Sequence, residues 1–151
     1  MDTEEFNKYV EERYRKELEW YDTNSQLNKK NYRILQWILI VFSSLTPVFI
    51  VADFIIHDVT FFIPSLVSSI IVGICGTVMR TFKYYDNWLN YRTISETLKK
   101  EFYLYQANLD EYAETDNKES IFVKRVESLI SRENTLWITT IKQEQEVDST
   151  K

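Results

Sequence analysis

One block of 46 residues decides the fold of this 151-residue chain. It reads ILQWILIVFSSLTPVFIVADFII from Ile34 to Ile56 and VTFFIPSLVSSIIVGICGTVM from Val59 to Met79. Asp53 is the only charged residue in the two runs, and His57-Asp58 forms a polar interruption between them. Each run has the roughly 20 apolar residues that an α-helix needs to cross a hydrocarbon layer of ~30 Å. The block therefore predicts a membrane-spanning helical hairpin with a short polar turn.

The rest of the chain has the opposite composition. All of the two Gly, two Pro, one Cys and one His lie inside the block, and 39 of the 41 charged residues lie outside it. The averages of 27% charged residues and a mean hydropathy of −0.33 therefore describe neither part. The alternative is a buried helical hairpin of a soluble protein, but the 105 remaining residues would have to cover the block on every side. A cleaved signal peptide is disfavoured because a charged segment of 33 residues precedes the first apolar run.

Composition also argues against several classes of function. One Cys cannot form a disulfide framework, and the polar segments offer only carboxylates as catalytic or metal-binding groups. Gly73 and Gly76 lie inside an apolar run without a following Lys-Ser/Thr, so they form no phosphate-binding loop. A net charge of −5 and a pI near 5.0 argue against a nucleic-acid partner. We therefore expect no enzyme, no cofactor and no metal site, and a membrane enzyme ranks third among the alternatives.

Basic residues predict the orientation in a membrane. They flank both spans on the side away from the turn, whereas the turn has no Lys or Arg. The positive-inside rule then places both termini in the cytoplasm and the turn on the outer side of the membrane. The basic residues are Lys29, Lys30, Arg33, Arg80 and Lys83.

The polar segments predict long cytoplasmic helices. Asp2 and Glu5 have the spacing of a capping box, and apolar residues then recur at steps of three or four up to the first span. The same periodicity continues after the second span to Tyr112, and a second capping box at Asp116 and Glu119 opens a last helix. We expect an all-α, integral membrane protein with a two-transmembrane helical hairpin and a cytoplasmic helical bundle. The predicted parts are an N-terminal helix 1–33, the hairpin 34–79 with spans of about 35–53 and 61–79, two helices in 80–143 with a break near 113–119, and a polar tail 144–151.

Small residues form a stripe on the second span that could serve association or conduction. They recur at steps of three or four, which keeps them on one side of a helix, and small residues let helices approach closely in lipid. One interpretation is packing against the first span or simple dimerisation. The other is a ring of second spans that lines a pore with these residues, namely Ser65, Ser69, Gly73, Gly76 and Thr77.

Charged residues at the two ends of the hairpin are candidates for pore mouths. Arg80 and Lys83 would lie at the cytoplasmic mouth, and Asp53 and Asp58 at the outer mouth. The simpler interpretation of Asp53, His57 and Asp58 is a solvated turn.

Motifs on both sides of the hairpin resemble one family. The N-terminal side has Tyr9-x3-Arg13, Leu18-x-Trp20-Tyr21-Asp22 and Lys29-Lys30-x-Tyr32, followed by a mid-span Pro47. The C-terminal side has Trp88-x3-Arg92, Leu98-x2-Glu101 and Phe122-x2-Arg125-Val126-Glu127-x-Leu129-Ile130-x2-Glu133-Asn134-x2-Trp137. In this order, over about residues 9–138, the motifs are similar to the SLATT superfamily, the SMODS and SLOG-associating two-transmembrane effector domains, which include stand-alone bacterial members of unknown function.

The resemblance implies a pore-forming effector of a bacterial stress or conflict response. It also implies a trigger from a nucleotide- or ligand-sensing partner, which would be a separate protein because this chain has no fused sensor. Its matched polar residues are expected to form pairs that hold the bundle together, namely Arg13, Asp22, Arg92, Arg125, Glu133 and Asn134.

Two functions are therefore expected from the sequence. The first is a homo-oligomeric pore or ion channel, because a single hairpin cannot enclose an aqueous path. The alternative is a membrane-anchored interaction protein whose cytoplasmic bundle recruits a partner without conducting. In either case the expected partners are the lipid bilayer and, for the pore, further copies of the same chain.

Overall fold

The computed structural model describes residues 2–56, 59–115 and 117–131, and this part of the chain contains helices and turns but no strand. This confirms the all-α fold. Contacts between residues divide the chain into two compact units. The first combines the residues up to Thr23 with those from Tyr91 onward, and the second is Asn24–Asn90.

The first helix starts where the predicted capping box places it. α1 is Thr3–Tyr9, and the Asp2 side chain accepts a hydrogen bond from the Thr3 amide at 2.7 Å. The Glu5 carboxylate accepts one from the Asp2 amide at 3.3 Å, and both arms of the box are present. The box satisfies backbone donors that the first turn of a helix otherwise leaves without partners.

A short π-helix, Val10–Tyr14, joins α1 to α2, which is Arg15–Ile56. Its physical cause lies in the spacing of the apolar residues. Phe6, Val10, Tyr14 and Leu18 follow at steps of four, and each such step drifts by about 40° from the face of an ordinary helix with 3.6 residues per turn. The wider π turn absorbs about one residue of this drift, so that Phe6, Val10 and Tyr14 are all buried in one core.

The first unit is a helical bundle with an aromatic core. Its N-terminal helix packs with α4, which is Tyr84–Gln106, and with the helix at residues 118–131. The Phe122 ring contacts four other rings at centroid distances of 5.1–5.8 Å, in edge-to-face or tilted arrangements. The predicted apolar stripes are therefore buried within one chain. The buried core residues are Phe6, Val10, Tyr14, Tyr21, Leu98, Tyr112, Phe122, Val126 and Ile130.

The chain between α4 and the last helix breaks earlier than the periodicity predicts. α4 ends at Gln106, six residues before Tyr112. Asn108 and Asp110 have positive φ angles of 53° and 60°, a left-handed conformation that stops a helix, and a 3₁₀ turn, Asp110–Tyr112, follows. Apolar periodicity does not register such backbone reversals. The predicted capping box at Asp116, the residues Glu133 and Asn134, and the tail 144–151 lie outside the described residues.

The second unit contains the apolar hairpin. α2 is followed by a 3₁₀ turn, Val59–Phe61, and by α3, Phe62–Phe82. The residue after α3, Lys83, has left-handed backbone angles, with a φ of 46° and a ψ of 40°. The next residue begins α4. α2 and α3 are both long and apolar enough to cross a membrane, as judged by length and composition. His57 and Asp58, the predicted polar turn, lie outside the described residues.

Candidate functional site

The two sides of α3 have different surroundings in the hairpin. Ser65, Ser68 and Cys75 are buried, with relative exposures of 7%, 2% and 7%. A Cβ atom added to Gly76 would meet Leu39 Cδ1 of α2 at 4.0 Å. The side of α3 that carries these four residues therefore packs within the hairpin, against α2.

An exposed stripe of α3 beside this packed face carries three of the five residues predicted to line a pore. Ser69, Gly73 and Thr77 are exposed, and a Cβ atom at Gly73 would meet no heavy atom of the described residues within 4 Å. Ser65 is separated from this group because steps of four residues drift by about 40° each, which places it about 120° from Thr77. The outer small stripe, as we call it below, consists of Ser69, Gly73 and Thr77.

The hydroxyl groups of the outer small stripe are already donors within α3. Ser69 Oγ donates to the Ser65 carbonyl at 2.8 Å, and Thr77 Oγ1 donates to the Gly73 carbonyl at 2.9 Å. Each oxygen still has a lone pair that can accept a hydrogen bond from water or from a neighbouring helix. The stripe therefore offers close backbone approach and weak acceptors, and no group for acid–base chemistry.

The predicted mouth residues lie near the two ends of the hairpin. Arg80 and Lys83 are exposed at the end of α3, and Asp53 is partly exposed in the last turn of α2. Asp58 lies outside the described residues. In the described part of the chain, no three His, Cys, Asp or Glu side chains converge as metal ligands would.

A buried polar cluster lies in the bundle and was not predicted as a site. Glu101 is 5% exposed; its Oε1 accepts hydrogen bonds from the Tyr112 hydroxyl and, at 2.7 Å, from Arg125 Nε. A second carboxylate, that of Glu111, lies 3.2 Å from Arg125. Burial, followed by the hydrogen bond to Glu101, raises the pKa of Tyr112. The cluster connects α4, the break and the last helix. We call these three residues, Glu101, Tyr112 and Arg125, the clamp.

The interleaving of carboxylates with Lys and Arg predicts solvated, salt-bridged helix faces, and Glu101 is an exception to this prediction. Residue 101 follows Leu98 by three and therefore falls on the apolar stripe of α4. For other acidic residues that prediction holds: Glu11 pairs with Arg15 at 3.1 Å on an exposed face, and Glu17 pairs with Arg13 at 2.6 Å.

Two further polar pairs connect helices of the bundle. Arg13 binds both oxygens of Glu127, at 3.2 and 3.4 Å, and the Tyr9 hydroxyl donates to the same carboxylate at 2.9 Å. The hydrogen bond from Arg13 lowers the pKa of Glu127, whereas burial raises the pKa of Tyr9. Lys99 Nζ lies 3.3 Å from Asp22 Oδ1.

The polar residues that the resemblance singles out have mainly structural contacts. Arg13, Asp22 and Arg125 all take part in ion pairs between helices of the bundle, as expected. Arg92 is exposed on α4.

An open groove of about 410 Å³ runs between α4 and the last helix. Because Arg125 and Glu101 pair with each other, the remaining charges of the groove are Lys100, Lys124 and Asp110. Its floor includes Leu104 and Leu129. The groove combines apolar and oppositely charged groups.

Comparison with known protein families identifies the family of this chain. A family described as a protein of unknown function, DUF4231, matches residues 16–120. The chain belongs to the DUF4231 family. The match includes all of α3 and α4, all of α2 except Arg15, and the pair of Asp22 and Lys99, so the hairpin of this chain lies within the DUF4231 region.

The DUF4231 description gives no activity and does not name the SLATT superfamily, so that resemblance stays a prediction from the motifs. No curated protein and no solved structure matches this DUF4231 chain.

Proposed function

We propose that α2 and α3 cross the bacterial inner membrane as a hairpin. The observation that carries this proposal is the outer surface of the hairpin: among the described residues, seventeen large apolar side chains from Ile34 to Ile74 are 37–79% exposed. Soluble monomers rarely expose contiguous apolar patches of this kind. The most apolar window of α2 is 0% buried inside the protein, and that of α3 is 17% buried. In a soluble protein with a buried hairpin, most of both windows would be covered by the rest of the chain.

Both termini would then lie in the cytoplasm. The basic residues before α2 enters its apolar run and at the end of α3 favour this orientation, and the acidic side chain of Asp53 lies toward the opposite end. The helices and their aromatic core in the first unit would form the cytoplasmic part.

Function in this membrane would be conduction by a homo-oligomer. One hairpin cannot enclose an aqueous path, so several copies must associate. The outer small stripe supports association, because small residues allow close helix packing in lipid and no atom of the described residues fills the space beside Gly73. In the ring we propose, Ser69, Gly73 and Thr77 line the path.

Charged groups would lie at both ends of this path. Arg80 and Lys83 would surround the cytoplasmic mouth, and Asp53, with Asp58, the outer mouth. Ser65 and Gly76 of the original set would instead pack against α2, which the burial of Ser65 and the neighbour of Gly76 support.

The biological setting rests on the motif resemblance alone. By that resemblance the oligomer would act as an effector in a bacterial stress or conflict response, opened by a separate sensor protein. The bundle would be the part that meets such a sensor.

Ion flux from liposomes tests conduction. Purified protein reconstituted at several protein-to-lipid ratios should release a trapped ion, with a rate that rises more steeply than in proportion to protein, because assembly is required. Gly73→Leu should abolish the flux, whereas Ile74→Leu, which conserves volume on an adjacent exposed position, should not. Wild-type oligomers that pass no ion under any ligand, voltage or pH would overturn the pore.

The alternative is a membrane-anchored interaction protein, and two observations favour it. The hydroxyl groups of the outer small stripe already donate within α3, which suits packing as well as lining. The bundle also exposes large apolar side chains, such as Tyr103 at 69% and Leu109 at 55%, that could contact a partner. A protein that stays monomeric in detergent and passes no ions would fit this function and exclude the pore.

A further inference from the structure

The second unit has a basic surface that the bundle lacks. Residues 24–33 and 80–90 contain five basic residues and one carboxylate, Asp86. The rest of the polar sequence contains 13 basic and 20 acidic residues, after Asp53 and Asp58 of the block are set aside. A chain with a net charge of −5 thus concentrates positive charge in one short zone.

Ring contacts fix the register of the two segments within the hairpin unit. Lys29 Nζ lies 5.5 Å above the Trp88 ring, and the Tyr32 and Tyr85 rings are 5.3 Å apart. In each pair the two residue numbers add up to 117. A constant sum means that the two segments run antiparallel, and that residues whose numbers have this sum lie at the same level. At the junction with α3 this register places Lys83 near the level of Ile34. In α3 the neighbour of Gly76 is Leu39, a pair whose numbers add up to 115, so Arg80 lies near the level of Leu35.

All five cations therefore lie in one narrow band. The levels run from residue 29 to about residue 35, a rise of about 9 Å along a helix. The band reaches the start of the apolar run of α2, and it also contains an aromatic belt of Tyr32, Tyr85 and Trp88. We call this zone the basic collar; it consists of Lys29, Lys30, Arg33, Arg80 and Lys83.

Several cations of the bundle have a carboxylate partner, which three exposed cations of the collar lack among the described residues. Arg13, Arg15, Lys99 and Arg125 in the bundle each pair with a carboxylate. Lys30, Arg33 and Arg80 are exposed, and within the described residues they make no ion pair. Their counter-charge must come from outside the described residues.

We propose that the basic collar binds the anionic phospholipid headgroups of the bilayer surface. Charge complementarity selects this partner, because a band of cations and aromatic rings that borders an apolar surface matches a negatively charged headgroup layer over hydrocarbon. Arg80, level with the start of the apolar run, reaches this layer with its long side chain. The proposal rests on the membrane placement of the hairpin and adds the lipid class that it prefers.

The test measures which lipids stay with the protein. Full-length protein is incorporated into nanodiscs of phosphatidylcholine and phosphatidylglycerol in equal amounts and then extracted in mild detergent. The ratio of phosphatidylglycerol to phosphatidylcholine that copurifies is determined by mass spectrometry. The wild type should retain phosphatidylglycerol in about fivefold excess or more, and 1 M salt during extraction should reduce the excess, because the Debye length is then ~3 Å.

A matched pair of variants assigns the effect to the collar. Lys30→Gln, Arg33→Gln and Arg80→Gln together should bring the ratio close to one. Lys8→Gln, Lys16→Gln and Lys124→Gln together remove the same charge from exposed positions of the bundle and should leave the excess as it is. All six side chains are exposed, so both variants should keep the wild-type circular dichroism; if the collar variant misfolds, the single Arg33→Gln variant should still reduce the excess.

The possible outcomes separate this proposal from the proposed function. Equal retention of both lipids by the wild type, or equal loss in both triple variants, would overturn the collar while leaving the hairpin and its conduction untouched. Protein that is stripped from vesicles by alkaline carbonate would overturn membrane insertion and the collar together.

Discussion

The guanidinium of Arg125 binds the buried carboxylate of Glu101 at 2.7 Å, across the space between the last helix and α4. The same carboxylate oxygen accepts a hydrogen bond from the hydroxyl of Tyr112, which is 1% exposed in the break between those helices. One buried charge therefore orients both a neighbouring helix and an irregular segment. This relationship makes the clamp, and not the surface ion pairs, the polar feature on which the bundle depends.

Loss of Glu101 should destabilise the bundle strongly. Glu101→Ala leaves the Arg125 charge and the Tyr112 hydroxyl without their partner, and breaking a buried pair in this way typically costs about 3–5 kcal/mol. Since the Arg125 side chain is 33% exposed, we expect about 2–3 kcal/mol. Chemical denaturation of the detergent-solubilised protein, followed by circular dichroism, measures the change.

Glu111→Ala is the matched control because its carboxylate binds the same guanidinium from an exposed position. The Glu111 side chain is 67% exposed, so its removal should cost less than about 1 kcal/mol. Equal losses in the two variants would contradict the assignment of the clamp to Glu101.

Two buried tyrosines should make the bundle sensitive to alkali. Burial raises the pKa of Tyr14 to about 12, and it raises the pKa of Tyr112 as well. A tyrosine whose pKa is higher in the folded state stabilises that state fully below the unfolded pKa of about 10, and this contribution is lost as the pH rises through the folded pKa. Between pH 10 and 12 the free energy of unfolding should therefore fall by up to about 1.4 kcal/mol per pH unit for each tyrosine.

The variant Tyr14→Phe tests this dependence. The Tyr14 hydroxyl donates to the Leu98 carbonyl at 2.9 Å, and its loss should lower stability at pH 8 by about 1 kcal/mol while making the alkaline decline less steep. Val126→Ala, which removes core volume and no ionisable group, should lower stability without changing the slope. An unchanged slope in Tyr14→Phe would refute the role of its hydroxyl.

The sequence predicted the elements whose signal is periodic. The hairpin was predictable because two runs of about 20 apolar residues have few alternatives, and the bundle core was predictable from the spacing of residues such as Phe122 and Val126. The capping box at Asp2 was predictable because it depends on local chemistry alone.

Features that depend on tertiary packing or backbone reversals were not predictable to the same degree. Steps of four residues from Phe6 to Leu18 were compatible with an ordinary helix, and only the packed core requires the π turn. Asn108 and Asp110 stop α4 through left-handed backbone that no apolar pattern reveals. Ser65 belonged to the small stripe by spacing, yet its place against α2 follows from how the two helices meet.

The pair of Arg13 and Glu127 should show measurable coupling. Arg13 contacts both carboxylate oxygens, a bidentate geometry stronger than a single contact, but the two side chains are 45% and 42% exposed. A double-mutant cycle with Arg13→Ala and Glu127→Ala should therefore give a coupling energy of about 0.5–1 kcal/mol.

Acid should weaken the same pair. The lowered pKa of Glu127 means that its contribution is present above the unfolded pKa of about 4.3 and is lost as the pH falls through the folded value. The coupling measured at pH 7 should therefore decline at pH 3. Coupling that stays constant over this range would show that the contact is not an ion pair.

The proposed topology predicts which surfaces a membrane-impermeant maleimide can reach. Cys75→Ala removes the one native thiol, and a new cysteine is then placed at Thr60 in the turn or at Lys8 on the bundle. In intact cells Thr60→Cys should react, and Lys8→Cys should react only after permeabilisation. The reverse pattern would invert the topology, and reaction of both in intact cells would exclude a spanning hairpin.

The two glycines of α3 should respond differently to substitution. A side chain at Gly73 meets open space, so Gly73→Leu should leave the unfolding of the single chain unchanged and should disrupt association and flux. At Gly76 a Cβ has an ordinary contact with Leu39 at 4.0 Å, so Gly76→Ala should be tolerated. Gly76→Leu should overpack the hairpin and cost about 1–3 kcal/mol. Thermal unfolding, light scattering in detergent and liposome flux measure the three effects. Wild-type mass and flux in Gly73→Leu would show that copies of the chain do not meet through the outer small stripe.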